Sequence, residues 1–307
     1  MIRFDSLPQK LRSAACLAAA LLVWPCLILA EASEERTLTL QDNLYDRPLT
    51  SVMVNGASSV AILDTGATIA LIDEDLLGFD ETSAKTGEEA EILGIGGKRI
   101  YPIMQVESLA VGSERWAGLR VAVNTANRFP VERTVLPISI FDARVVDFDF
   151  RKDRLHLYDS RPRRVREADK SVVRYKDVQG LIFIPIRING VRGKALIDTG
   201  ADMSFVNPAY AHLAKASIDF DETKRIRGSD LSTSNASVYA FRSLRFGDNE
   251  ITRFKLPVLK TELFAELGFG DEPLMVMGMD ILKQFRLQVD RERGRVSFVL
   301  PQDRNQG

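Results

Sequence analysis

Two aspartates stand where they could work as a pair. Asp64 opens the tetrapeptide Asp64-Thr65-Gly66-Ala67, and Asp198 opens Asp198-Thr199-Gly200-Ala201. Two carboxylates within hydrogen-bonding distance do not both ionise cheaply, so such a pair keeps one proton over a range of pH and offers an acid and a base at once. That is the equipment for splitting an amide with water. The ionised member takes a proton from a water lodged between the two, the protonated member donates to the carbonyl oxygen, and the roles reverse as the amine leaves. The scheme requires no metal, cofactor or covalent intermediate. Thr65 and Thr199 supply hydroxyls able to bond across to the backbone of the other copy, and Gly66 and Gly200 leave N–H groups free to approach the carboxylates. A single Asp-Thr-Gly would carry little weight, because Asp and Gly fill turns everywhere.

The surroundings of the two copies give the motif its weight. Residues 54–68 read VNGASSVAILDTGAT and residues 188–202 read INGVRGKALIDTGAD; they align without a gap at an offset of 134, and seven of the fifteen positions are identical. Chance gives about one such identity, so the chain is a duplicated unit. Ile92 and Gly94 fall opposite Ile226 and Gly228 at the same offset. Leu109 and Gly112 face Leu244 and Gly247 one residue further on, and VLPISIF (135–141) meets VMGMDIL (276–282) at an offset of 141. Each Asp-Thr-Gly follows an apolar run, Val60 to Leu63 or Ala195 to Ile197, which places its carboxylate at the end of a buried strand. Pseudo-two-fold packing of the repeats would bring Asp64 and Asp198 together on the axis.

Short β-branched and apolar runs, punctuated by Asn-Gly at 55–56 and 189–190, predict a mostly β protein of two homologous lobes. Each unit closes on an apolar strand, Arg154 to Tyr158 and Arg295 to Val299. The helix candidates are Pro208 to Lys215 and Met279 to Phe285. The expected organisation is a segment 1–32, a first lobe over 33–160, a solvated charged linker over 161–180 (RPRRVREADKSVVRYK lies within it), a second lobe over 181–300 and a tail over 301–307.

Composition removes other chemistries. With 45% hydrophobic and 27% charged residues the 307-residue chain is globular in type, and 41 Lys plus Arg against 42 Asp plus Glu leave no field to attract nucleic acid or an anionic membrane. His156 and His212, the two histidines, are 56 positions apart, which argues against zinc hydrolysis. Met275, Met277 and Met279 alternate as core residues do, and no Gly-x-Ser-x-Gly elbow supports a serine triad. At the N-terminus Arg3, Lys10 and Arg12 precede an apolar run from Ala14 to Ala30, and Ala30-Glu31-Ala32 offers a cleavage site. This reads as a secretory signal peptide, with an uncleaved anchor as its rival. Cys16 and Cys26, the two cysteines, lie in that segment, so the mature chain holds no thiol nucleophile. The expected location is periplasmic or secreted, without stable membrane association once the signal is cut.

These residues resemble the active-site loops of the retropepsin-like aspartic proteases, and aspartic proteases are the type case of a shared-proton pair. Ile92-Leu93-Gly94-Ile95-Gly96-Gly97 is similar to the glycine-rich flap hairpin that closes over the peptide in that family, and Val276-Met277-Gly278 before Met279-Asp280-Ile281-Leu282 resembles its hydrophobic-hydrophobic-Gly strand and following helix. The resemblance spans roughly residues 40–300 and looks closest to secreted two-lobed bacterial members, among them periplasmic proteases that process an envelope protein. It implies an endopeptidase with Asp64 and Asp198 catalytic, a supporting loop of Thr65, Gly66, Ala67, Thr199, Gly200 and Ala201, and a substrate-binding flap of Gly94, Ile95, Gly96 and Gly97. A protein or peptide substrate follows, with the chain acting as a monomeric internal pseudodimer. Retroviral members carry Arg where Met279 stands, so Asp202 is expected to face the substrate. The first lobe has Pro137 where the pattern has Gly, and Ser139 opposite Asp280; Pro137 removes an N–H and stiffens the backbone beside Asp64, which leaves that lobe's fine geometry open. The second flap, Ile226-Arg227-Gly228-Ser229-Asp230, keeps one glycine of three, so one working flap is expected. Two other readings remain: a catalytically silent peptide-binding scaffold of the same fold, and a dimer in which like lobes pair between chains.

Overall fold

Alternation of apolar and polar residues, interrupted by Asn-Gly, folds the chain into hairpins. Asn55 and Gly56, like Asn189 and Gly190, all take positive φ, from 48° to 85°, as the two central positions of a type I′ turn demand. The computed structural model describes residues 35–41, 43, 46–77, 87–94, 97–125, 134–165, 168–227 and 233–301. The segment expected as a signal peptide lies outside them, as do Ile95, Gly96, Gly228 and the tail after 301.

Three sheets result. The first lobe's sheet runs in the order Leu49–Val54, Ala57–Asp64, Thr134–Pro137, Leu71–Asp73, Glu114–Asn124, Gly97–Val111, Glu89–Gly94. The second lobe repeats it strand for strand as Leu181–Ile188, Val191–Ile197, Leu274–Met277, Phe205–Val206, Asn249–Val258, Thr233–Phe246, Ser217–Arg227, with Lys176–Val178 added at the edge. In both lobes the strand leading into Asp-Thr-Gly pairs in parallel with the hydrophobic-hydrophobic-Gly/Pro strand: Asp64 is opposite Pro137, and Ile197 is opposite Met277. The molecule is mostly β, and its duplicated sequence corresponds to duplicated lobes.

The third sheet belongs to both lobes. Its order is Arg36–Thr39, Arg154–Tyr158, Val145–Asp149, Arg286–Asp290, Arg295–Pro301, Ala168–Arg174. The lobes meet where Phe148 faces Leu287 and Val146 faces Val289, all fully buried. A buried charge cluster lies in the same seam. The Arg286 guanidinium forks onto both oxygens of Asp147 at 2.8 Å and reaches Asp149 at 3.0 Å, while the Tyr158 hydroxyl and the Gln288 amide also donate to Asp147.

The 161–180 segment differs from the solvated linker expected for it. It contains strand Ala168–Arg174, in register with Arg295–Pro301, and strand Lys176–Val178 on the edge of the second lobe. Ser171 and Val173 point inward while Lys170, Val172 and Arg174 point out. The basic flanks conceal this two-residue alternation, and the strand fills an edge that would otherwise be left open. The two helix candidates form as Pro208–Leu213 and Met279–Leu282, each ending in turns. The Asn207 side chain caps the first by accepting from the Tyr210 N–H, with Pro208 in the first turn.

Candidate active site

Asp64 ends its strand with 1% of its surface exposed, and Asp198 lies half-buried one residue beyond strand Val191–Ile197. Their side chains hydrogen-bond to each other. Backbone donors orient both: Gly66 N–H reaches Asp64 Oδ1 at 2.6 Å, and Gly200 and Ala201 N–H reach Asp198 Oδ1 at 2.9 and 3.0 Å. The glycines are required by proximity, because a Cβ on Gly66 would sit 2.6 Å from the Asp198 carboxyl carbon, and one on Gly200 would collide with the Asp64 carboxyl.

The threonines hold the two loops together reciprocally. Thr65 N–H donates to Thr199 Oγ1 at 3.0 Å and Thr199 N–H to Thr65 Oγ1 at 2.9 Å. Each hydroxyl then donates across the axis at 2.7 Å, Thr65 to the Ile197 carbonyl and Thr199 to the Leu63 carbonyl. All four bonds are buried, so Thr199→Val, similar in volume, strands the Thr65 N–H and the Leu63 carbonyl. A loss of about 2–4 kcal/mol in urea unfolding is expected, with Thr199→Ser recovering most of it.

Burial raises the Asp198 carboxyl well above its ordinary value; the Asp64 charge and the hydrogen bond to Asp64 add to the effect, and the N–H groups of Ala201 and Gly200 oppose it. A proton is thereby kept on the pair where an isolated carboxyl would have lost it.

The lobes differ around Pro137: Asp64 Oδ1 accepts from Gly66 N–H, whereas Asp198 Oδ1 accepts from both Gly200 and Ala201 N–H. In the second lobe Gly278 N–H donates to Ser204 Oγ, and Ser204 donates in turn to Asp280 Oδ1. The first lobe has Ala70, Pro137 and Ser139 at those three places. Donor and acceptor are lost together there, so nothing polar is orphaned, and the four threonine bonds match to within 0.1 Å between lobes.

Strands Glu89–Gly94 and Gly97–Val111 form the hairpin expected as the flap, with Gly94 opposite Gly97; Ile95 and Gly96 lie outside the described residues. Beneath it is a cavity of about 310 Å³ reaching Gly66, Ala67 and Ile69 on one side and Leu181, Leu263 and Leu267 on the other. Asp202 does not line this cavity. Its Oδ1 is shielded from solvent, and it lies where its charge adds to the burial that raises the Asp280 carboxyl. Sequence reasoning missed Lys98, Glu91 and Glu266, which join at the cavity's rim. A signal for the last existed: the repeat offset grows from 135 at Leu244 to 141 at Val276, so extra residues fall in the stretch that holds helix Leu263–Glu266.

A two-lobed β fold whose duplicated Asp-Thr-Gly loops meet on the axis is the architecture of an acid protease. A family model described as aspartyl protease matches residues 50–137 and again 184–281, one match per lobe and together more than half of the chain. The chain belongs to the aspartyl protease family. No curated protein is significantly similar to it. Among the described residues no group of His, Cys, Asp and Glu is arranged to hold a metal, and no helix is long and apolar enough to cross a membrane.

Proposed function

We propose that the chain is an aspartic endopeptidase in which Asp64 and Asp198 activate one water against a peptide bond. The observation that carries this is the pair itself: two hydrogen-bonded carboxyls, fixed by reciprocal threonine bonds, with the Asp198 carboxyl raised by burial. Such an expensive arrangement has little use in packing and suits general acid and base catalysis. The protonated carboxyl donates to the carbonyl oxygen while the ionised one takes a proton from water. The resulting tetrahedral centre collapses as the amine receives a proton. Cleavage of an unfolded protein, blocked by a transition-state-like inhibitor such as pepstatin, tests the proposal; a silent peptide-binding scaffold would bind the inhibitor's backbone and cleave nothing.

The apolar run at 14–30 supports action in the periplasm or outside the cell, and the resemblance to periplasmic proteases suggests a protein of the envelope as substrate. Both aspartates sit in one polypeptide, which supports a monomeric working unit.

The pH profile should follow the shared proton. Protonation of the pair is lost as pH rises through its raised upper value, so activity falls on the alkaline limb, and that limb should lie toward neutrality. Ala67 and Ala201 occupy positions where pepsin-like enzymes commonly carry a hydroxyl, and an alanine side chain cannot add a bond to the carboxylate beyond the backbone N–H of Ala201. Ala201→Ser should favour the ionised form and move the alkaline limb to lower pH. The kcat/KM profile on a peptide without titrating groups reads the shift directly, and an unmoved limb would remove this cause.

A further inference from the structure

The flap strand of the first lobe is tied to the second lobe. Lys98 Nζ lies 3.0 Å from Glu91 Oε1 on the neighbouring flap strand and 2.9 Å from Glu266 Oε2 on helix Leu263–Glu266 of the opposite lobe. Leu93 packs on the second lobe's apolar cluster, which includes Leu263 and Phe264, and a Cβ on Gly97 would be 3.8 Å from Glu262 Oε2. Beneath these contacts lies the cavity beside Gly66 and Ala67, with Ile69, Leu71 and Ile92 on one wall and Leu181 and Leu267 on the other. One ammonium thus serves two carboxylates on two lobes, across the space where a substrate side chain would enter.

We propose that Lys98 is a positioning residue: by bridging Glu91 and Glu266 it fixes the height of the flap strand over the Gly66–Ile69 loop, and with it the width of the cavity that receives an apolar substrate side chain. The proposal rests on the protease reading. Lys98 touches no reacting atom, so its removal should act on substrate binding rather than on the chemical step. The paired carboxylates hold the ammonium charged, its pKa pushed up to about 12 by the bonds to Glu266 and Glu91.

Charge exchange tests this in the full-length protein. Lys98→Glu gathers carboxylates at the rim and should raise KM about fivefold while kcat stays within about twofold, the scale of lost and reversed exposed ion pairs. Lys98→Glu combined with Glu266→Lys restores one ammonium between two carboxylates and should return KM to the native value. Amide hydrogen exchange of Glu89–Gly94, read without substrate, should be faster in the single variant and native in the double. An unchanged KM and exchange rate in Lys98→Glu, a double variant as impaired as the single, or a kcat that falls in step with the rise in KM would overturn the proposal. Exchange is measured without catalysis, so it decides whether the flap is tied even if the native protein cleaves no peptide, a result that would count against the protease reading alone.

Discussion

Asp198→Asn protein should fold as the native chain does and cleave peptides at least about a thousandfold more slowly, the upper part of the range that general acid and base groups supply. The amide is nearly isosteric, and its oxygen can still accept the Gly200 and Ala201 N–H groups that hold Oδ1. It cannot share a proton with Asp64 or pass one to a departing amine. Folding stability should not fall, because the substitution removes a carboxyl that burial and the Asp64 charge make costly to ionise. Circular dichroism and urea unfolding establish the fold, and kcat/KM on an unfolded protein establishes the loss. Asp64→Asn should behave alike, since Asp64 sits on the other side of the same pair.

Arg286→Met should cost about 3–5 kcal/mol, the penalty for breaking a buried ion pair from one side. Asp147 is fully buried and Asp149 nearly so, and Arg286 bonds both. Tyr158 and Gln288 would remain on Asp147, but neither brings a positive charge. The cluster lies where the lobes share a sheet, so the loss should appear as a lower urea midpoint for the whole protein, with the slope unchanged. Adding Asp147→Asn and Asp149→Asn to Arg286→Met should recover part of the stability, because no buried charge is then stranded. A triple variant less stable than Arg286→Met would mean that packing rather than charge governs the seam.

Much of the fold was legible because the chain states it twice. The paired Asp-Thr-Gly-Ala, the Asn-Gly turns and the apolar runs before each aspartate specify local strands and hairpins, and the structure places them in corresponding strands of two matching sheets. What escaped reading depends on partners distant in sequence. Strand Ala168–Arg174 looked like a linker because its Lys and Arg residues face outward, and its partner lies more than a hundred residues away. The six-stranded sheet draws on both lobes, so a boundary drawn at 160 or 181 divides strands that pair in space. The consequence of Pro137 could not be read for a related reason. Its effect depended on Ala70, which removes the hydroxyl that the missing N–H would have met, and one position read alone does not show that exchange. At the site, the aspartates and threonines were visible as motif, whereas Lys98 and Glu266 carry no motif and acquire meaning only when the second lobe's helix reaches the first lobe's flap.

Whether Asp64 and Asp198 of one chain form one catalytic site is decided by peptidase activity in pure Asp64→Asn, pure Asp198→Asn and their equimolar mixture, with light scattering to fix the oligomeric state. A dyad built within one chain predicts that both variants are inactive, that mixing restores nothing, and that native activity per molecule is unchanged on dilution. Comparable activity retained by both single variants, or activity regained in the mixture, would contradict it and show that the working site is assembled between chains.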